Sequence, residues 1–244
     1  MPGLLKFALF LAVEILLLPI TILGSILLSA HFSIAYLLLK MRGSRMSITA
    51  YDPMFARWLL HVQGKRHDPA SGPVLLSLPG MSFITVWLMI GPTILAMRLS
   101  GYSINMYDYP VYSSANLIDA MGHRARFFDD AIASHIDKVT QFVILGAGWD
   151  TRACIWAHEA GVPVFEVDAV DTQAEKIKAL RKGGVDTSGI IFVEADFNRE
   201  SWLDALERYG FDFSRPTFVL WEGVTPYLEE GAVKAILQAV ADEL

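Results

Sequence analysis

Four short, largely apolar runs constrain the fold of this chain more than any other feature. They lie at residues 142–145, 162–167, 190–193 and 217–221. Each has the length of a strand and is rich in β-branched or aromatic residues, as strands buried on both faces of a parallel sheet are. Helical patterns separate the runs, so the back half of the chain is predicted to be an α/β protein with a doubly wound parallel sheet.

The predicted helices between these runs have recognisable limits. They cover residues 151–160, 199–209 and 229–244, together with a segment that opens at a capping box, Thr172 to Glu175, and closes at Gly183 and Gly184. Upstream, residues 114–136 form a further predicted helix that leads into the first strand.

The residues at the ends of the predicted strands are the main clue to function. Gly146 follows the first run, Asp168 ends the second, Asp196 follows the third and Glu222 follows the fourth. Ligands of parallel α/β sheets bind outside the carboxyl ends of the strands. These four residues are therefore expected to line one crevice.

The turn after the first strand has a G-x-G pattern, formed by Gly146 and Gly148, with Thr151 where a dinucleotide fingerprint has its third glycine. Taken alone, the pattern also fits an ordinary strand–helix turn. Asp168 lies 22 residues after Gly146, where an acid can accept both hydroxyls of a ribose. Together the two features favour a nucleoside-type ligand, and the missing glycine disfavours an NAD-dependent dehydrogenase.

The first 99 residues have a different composition. They hold eight Lys or Arg and three Asp or Glu, against twelve and twenty-three in the remainder. Residues 4–39 are nearly all apolar, which is more than one membrane span of about 20 residues and less than two, and a kink or a hairpin bend is expected at Pro19. A second apolar run, residues 74–99, is interrupted at Gly91 and Pro92, and fits a re-entrant or interfacial segment or a buried core helix.

The distribution of charge predicts where each half resides. Cations between the two apolar runs, among them Arg57, Lys65 and Arg66, indicate a loop on the cytoplasmic side of a membrane. The basic front half suits membrane lipids, and the acidic back half excludes a nucleic-acid partner. The expected domains are a membrane-associated helical region (1–99), linker and lid helices (100–140) and a ligand-binding domain (141–244).

Metal and covalent chemistry are not indicated by the sequence. The six histidines show no metal-ligand spacing, so no metal site is predicted. The single cysteine, Cys154, is expected to be a small buried residue.

Five segments resemble the leucine carboxyl methyltransferase family and its bacterial S-adenosylmethionine-dependent branch. They are RARFFDD (124–130), LGAGWDTR (145–152), FEVD (165–168), ADF (195–197) and WEGVTPYL (221–228). The resemblance implies a class I methyltransferase with a Rossmann-like doubly wound sheet and S-adenosyl-L-methionine as cofactor. The family fold continues for three more strands, so the sheet is expected to be C-terminally incomplete. Three explanations stay open: the sequence is a fragment, a protein partner covers the exposed edge, or the domain is not fully active.

The resemblance also implies residue roles. At the methionine end of the cofactor, Arg124 would pair with the carboxylate, Gly146 and Gly148 would form the backbone turn, and Glu222 would lie near the amino group. Asp150 and Arg152 belong to the same signature. For these two residues a structural role, in which they pair with each other or cap the helix after the first strand, is expected as much as a functional one.

The remaining roles concern the nucleoside and the acceptor. Asp168 would bind the ribose, Asp196 and Phe197 would contact the adenine, and Tyr227 would be the catalytic residue near the methyl acceptor. The expected activity is O-methylation of a carboxylate on a small or hydrophobic acceptor at the membrane surface. A carboxylate acceptor needs no general base, whereas a hydroxyl would need one. The alternative is a non-catalytic binding or assembly module that retains the cofactor pocket.

Overall fold

The computed structural model describes residues 3–41, 43, 51–102 and 117–243. Their four strands are β1 (Gln141–Leu145), β2 (Val164–Asp168), β3 (Ile190–Glu194) and β4 (Thr217–Trp221). They form one parallel sheet in the order β3-β2-β1-β4. The chain thus turns from one side of β1 to the other between β3 and β4, which is the arrangement that opens a ligand crevice beside β1. The predicted α/β class with a parallel sheet is confirmed.

Side chains alternate between the two faces of β1, and each face packs against its own layer. Val143 and Leu145 lie in a cluster with Leu206 and Ile236, on the side of the two C-terminal helices. Phe142 and Ile144 lie in a second cluster on the opposite face. All five residues of β1 are buried, which explains why its sequence carries the clearest strand signal.

The helix that precedes β1 and the helices that follow the strands are close to their predicted limits. They are α5 (Leu117–Ala133), α6 (Arg152–Glu159), α7 (Val170–Lys182), α8 (Trp202–Arg208) and α9 (Glu230–Glu243). The predicted capping box at Thr172 is wrong, because α7 begins at Val170 with Ala169 as its N-cap. The Asp168 side chain accepts a hydrogen bond from the Ala169 N–H at 2.7 Å, so the helix starts directly from the end of β2.

The front half of the chain forms four helices in the described residues. They are α1 (Gly3–Met41), α2 (Tyr51–Val62), α3 (Ser71–Ser77) and α4 (Phe83–Ser100). The expected hairpin bend at Pro19 is wrong, since Pro19 lies inside the continuous helix α1, and α4 likewise continues through Pro92. A proline removes one N–H donor, whereas ending a helix there would leave several backbone groups unpaired among apolar side chains.

Helices α2 and α3 differ most from the expected domain limits. Met54 and Trp58 of α2 and Leu75 of α3 are buried in the same cluster as Phe142 and Ile144 of β1. Residues 51–78 therefore complete one layer of the sheet domain, although the sequence suggests that they belong to the membrane-associated region. Only α1 and α4 are long and apolar enough to cross a membrane in the described part of the chain.

Candidate active site

A cavity of about 550 Å³ lies outside the carboxyl ends of the strands. All eight residues to which the sequence assigns a role line it: Arg124, Gly146, Gly148, Asp168, Asp196, Phe197, Glu222 and Tyr227. One comes from α5, and the others come from the ends of the four strands and the loops that follow them. The structure thus brings together every predicted site residue, while the group that each one binds stays a prediction.

The two positions of the first turn require glycine for different structural reasons. Both have positive φ, +65° at Gly146 and +45° at Gly148, a conformation that favours glycine. A Cβ on Gly146 would lie 2.3 Å from a methyl group of Val224, so this glycine lets the β1 and β4 loops touch. A Cβ on Gly148 would meet only the Gly146 carbonyl oxygen, at 3.9 Å, so this glycine leaves space beside the cavity.

Asp168 fixes this turn to the end of β2. Its Oδ2 accepts a hydrogen bond from the Gly148 N–H at 2.5 Å, and its Oδ1 accepts the one from Ala169. Burial raises the pKa of Asp168, and these two N–H donors oppose the rise. Because each carboxylate oxygen can accept more than one hydrogen bond, both retain capacity for a ligand hydroxyl at the cavity.

Glu222 lies between two arginines. Its Oε1 accepts a hydrogen bond from Nε of Arg124 at 2.7 Å, and its Oε2 accepts one from a terminal nitrogen of Arg152 at 2.6 Å. The Arg124 side chain is 38% exposed, and its terminal nitrogens make no hydrogen bond within the described residues. The cavity therefore presents a guanidinium and a carboxylate side by side.

Arg152 is fully buried and joins three acids. Besides Glu222, its guanidinium contacts Asp129 at 2.8 Å and Asp150 at 2.6 Å, and it lies 5.6 Å from the centre of the Phe128 ring. Burial alone would lower the pKa of Arg152, but the three acids raise it. The contact with Arg152 also holds the pKa of Asp150 well below its usual range, although burial alone would raise it. The predicted structural pairing of Asp150 and Arg152 is confirmed.

A segment between α2 and α3 extends this ionic network. Arg66 donates from Nε to Asp129 at 2.6 Å and also pairs with Asp68. Asp68 in turn accepts a hydrogen bond from the Thr151 hydroxyl at 2.7 Å, next to Arg152 in the chain. The network thus connects the front half of the chain to the acid at the end of β4.

Helix α2 supplies one wall of the cavity, through Asp52, Pro53 and Arg57. Arg57 donates to the Trp149 carbonyl oxygen at 3.2 Å and lies 3.5 Å from Asp150. The sequence reasoning did not assign these residues to the site. One signal could have indicated Arg57, which lies three residues after Met54 and so on the buried side of the helix.

The prediction made from the sequence for Arg57 and Arg66 also requires a correction. The sequence counts them among the cations of a loop on the cytoplasmic side of a membrane, yet Arg57 lies inside α2 and the two are only 5% and 6% exposed. Each is buried because an acid from the sheet domain balances its charge, Asp150 for the first and Asp129 for the second.

The far side of the cavity is more open. Asp196 accepts a hydrogen bond from the Asn198 N–H at 3.1 Å, and its side chain is 46% exposed. Phe197 is half-buried and packs against the cluster on the α8 and α9 side. Tyr227 lies in a short 3₁₀ turn, Thr225–Tyr227, and is 56% exposed at the rim.

Cys154 is buried, as expected, and burial raises the pKa of its thiol to about 12. Across the described ranges, the structure contains no cluster of three or more histidine, cysteine or acidic side chains that could hold a metal ion.

Sheet order, glycine turn and strand-end acids together define a Rossmann-like α/β protein with a ligand cavity at its strand ends. The chain belongs to the leucine carboxyl methyltransferase family, whose profile matches residues 108–241.

Similar proteins from mycobacteria each bear the name "Putative S-adenosyl-L-methionine-dependent methyltransferase". One from Mycolicibacterium gilvum is 38% identical over 178 residues, covering 71% of this chain and 54% of the relative. One from Mycobacteroides abscessus is 34% identical over 141 residues, covering 57% and 46%. One from Mycolicibacterium paratuberculosis is 30% identical over 199 residues, covering 81% and 61%. The chain thus spans about half to three fifths of the length of these relatives.

Proposed function

We propose that this chain is the cofactor-binding part of an S-adenosyl-L-methionine-dependent O-methyltransferase. The observation that carries the proposal is that the eight residues predicted to form the site line one cavity of about 550 Å³. That volume is within the range of small-molecule sites. Family membership and the names of the mycobacterial relatives support the same activity.

The charges at the cavity fit the amino-acid end of the cofactor, which carries one carboxylate and one ammonium group. The terminal nitrogens of Arg124 would take the carboxylate, for which a planar guanidinium is suited. Glu222, 2.7 Å from Arg124, would take the ammonium group. The open space at Gly148 would admit the chain between these groups and the ribose.

The nucleoside would extend along the strand ends towards β3. Asp168 would accept hydrogen bonds from the ribose hydroxyls, since its two oxygens are already fixed by backbone donors. Asp196 would accept from the adenine amino group, and the half-buried Phe197 would contact the ring.

When bound, the cofactor supplies a methyl group already activated by a sulfonium. The chain's own task is then to hold the acceptor in line and to exclude water. A carboxylate acceptor is anionic at neutral pH and needs no proton removed. Tyr227, at the rim, would position this acceptor.

We further propose that the protein works at a membrane, with the cavity on the cytoplasmic side and a small or hydrophobic acid as acceptor. The support is α1, which exposes apolar side chains along most of its 39 residues. Such a surface is far larger than a soluble monomer normally exposes.

Calorimetric titration with S-adenosylhomocysteine tests the cofactor assignment. The detergent-solubilised chain should bind it, and Arg124→Met should weaken binding at least tenfold. Arg126→Met is the matched control, because Arg126 lies on the same helix and pairs with Asp130 at the surface. Absence of binding by the unaltered chain would reject the assignment.

Methyl transfer is tested by incubating the chain with methyl-tritiated cofactor and a lipid extract. A methyl ester releases labelled methanol in mild alkali, whereas an ether does not. Alkali-labile label would support a carboxylate acceptor. Binding of S-adenosylhomocysteine without any transfer would overturn the catalytic assignment and favour a binding module.

A further inference from the structure

Helix α4 packs on the sheet domain mainly through residues in its first half. Near its start, Val86 is in the main core cluster, and the Trp87 ring lies 5.9 Å from that of Trp58 in α2. Further along, Ile90 packs against a cluster of α2 and α5 residues, whereas Ile94 lies in a cluster with Phe10 of α1, which Val62 at the end of α2 also contacts. These positions recur at helical spacing, so one face of α4 is committed to the domain.

Helix α1 runs antiparallel to α4 on another face. Near the start of α4, a Cβ on Gly80 would lie 2.8 Å from the Phe32 backbone, and in the middle a Cβ on Gly24 would lie 2.4 Å from the Leu88 backbone. At the far end, the Lys6 side chain comes within 3.8 Å of the Cβ position of Gly101. The two backbones touch as closely as small residues allow. Helix α1 is therefore held beside α4 from Lys6 to Phe32, and the Phe32 ring also lies 5.3 Å from that of Tyr51 in α2.

The length of α1 bears on its orientation. Its 39 residues extend for about 58 Å, whereas the hydrocarbon core of a bilayer is about 30 Å thick. Standing α1 upright in a bilayer would carry α4 with it. Either α4 would then separate from Trp58 and Val62 of α2, or α2, which supplies a wall of the cavity, would enter the bilayer.

The outer surface of α1 fits the hydrocarbon region of a lipid leaflet. Phe10 and Gly24 are the residues of α1 that are buried. Large apolar side chains that are more than a third exposed occur in nearly every turn: Leu4, Leu5, Phe7, Leu9, Leu11, Ile15, Leu16, Leu18, Ile20, Ile22, Leu23, Ile26, Leu27, Ile34, Leu37, Leu38 and Met41. Lys6 and Lys40 lie near the two ends, where ammonium groups can reach lipid headgroups.

We propose that α1 lies in the plane of the membrane, embedded in one leaflet, with α4 and, at Phe32, Tyr51 of α2 packed on its inner side. The proposal rests on the membrane association proposed above. It makes the protein monotopic, with the cavity on the aqueous side of α1. A hydrophobic acid in the same leaflet could then reach the site without leaving the membrane.

Fluorescence depth measurements test this orientation. A polarity-sensitive fluorophore is attached through Leu5→Cys, Leu16→Cys, Leu27→Cys or Leu38→Cys, each in a Cys154→Ser background. All four positions are exposed, and successive ones are eleven residues apart, which is three helical turns with about 20° of rotation. The labels therefore share one face, and each full-length variant is reconstituted into phosphatidylcholine–phosphatidylglycerol vesicles with lipids brominated at different acyl positions.

The orientation decides the pattern of quenching. For an in-plane helix, the four labels should have depths that agree within about one helix diameter, ~10 Å. For a spanning helix, successive labels should differ by about 16 Å along the membrane normal, and a spread above ~10 Å would overturn the proposal. Quenching of none of the four labels would reject membrane association itself. Unchanged binding of S-adenosylhomocysteine by the labelled variants shows that each has folded.

Discussion

The cavity region and the α1 layer reverse the usual distribution of side chains. Around the cavity, charged groups are buried: Arg57, Asp68, Asp150 and Arg152 are at most 6% exposed. On α1, which has few charged residues, large apolar groups face outwards. The difference shows that a buried charge is stable where another chain segment supplies its counter-ion. An exposed apolar helix, in turn, points to a non-aqueous surrounding.

The largest expected effect comes from breaking the buried network. Arg152→Met would leave Asp129, Asp150 and Glu222 without their shared cation, so the free energy of unfolding should fall by about 3–5 kcal/mol. Urea denaturation in mild detergent measures it. Lys234→Met is the control, because Lys234 pairs with Glu230 on the exposed face of α9 and its loss should cost about 0.5 kcal/mol or less. Equal losses for both variants would mean that the buried network contributes no more to stability than an exposed ion pair does.

A second buried pair should make stability depend on pH. Burial raises the pKa of Glu166 from 4.5 to about 7, although Lys176, 2.6 Å away, opposes the rise. Between these values the folded chain retains a proton that the unfolded chain has released. Stability should therefore fall as pH rises from about 4.5 to 7, by about 1–3 kcal/mol.

Glu166→Gln should make that fall smaller, because the amide does not titrate. Urea midpoints at several pH values test this. Asp129 and Asp150 have lowered pKa values, so their protonation changes the stability only below about pH 4, outside the range from 4.5 to 7. Parallel pH profiles for the variant and the unaltered chain would show that Glu166 is not the group responsible.

The first glycine of the turn offers a test of packing at the cavity. Gly146→Ala adds a methyl group 2.3 Å from Val224 to a residue with φ of +65°. Gly161→Ala is a matched control, since Gly161 has φ of +64° but no atom within 4 Å of its Cβ position. We expect Gly146→Ala to lose about 1–3 kcal/mol more than the control, measured by urea denaturation. A difference near zero would mean that the β1 and β4 loops separate easily.

The smallest predicted effect concerns ligand affinity. Asp168→Asn should raise the Kd for S-adenosylhomocysteine about tenfold, or ~1.4 kcal/mol. The reason is that an amide nitrogen cannot accept a hydrogen bond from a ribose hydroxyl or from the Gly148 N–H. Asp171→Asn, on the exposed first turn of α7, removes the same charge and should leave Kd unchanged. A similar Kd for both variants would assign Asp168 to the structure of the turn alone.

Much of the sheet domain could be predicted from the sequence. The strands are within two residues of their predicted limits, because a buried strand carries its signal in its own residues. The rule that parallel strands end at a common edge then brings Gly146, Asp168 and Glu222 to one cavity.

The partners of the buried arginines could not be predicted in this way. Arg66 meets Asp129 across 63 residues of sequence, and Arg152 meets Glu222 across 70. Pairing over such distances leaves no local pattern. For the same reason the cations of α2 and the following segment suggest a loop on the cytoplasmic side of a membrane, whereas the fold buries Arg57 and Arg66.

A crystal structure of the chain with S-adenosylhomocysteine would test the central claim most directly. The proposed function predicts the ligand in the strand-end cavity. Its ribose hydroxyls should lie within hydrogen-bond distance of Asp168, and its carboxylate should contact Arg124. A ligand bound elsewhere, or one whose ribose lies away from the end of β2, would contradict the account.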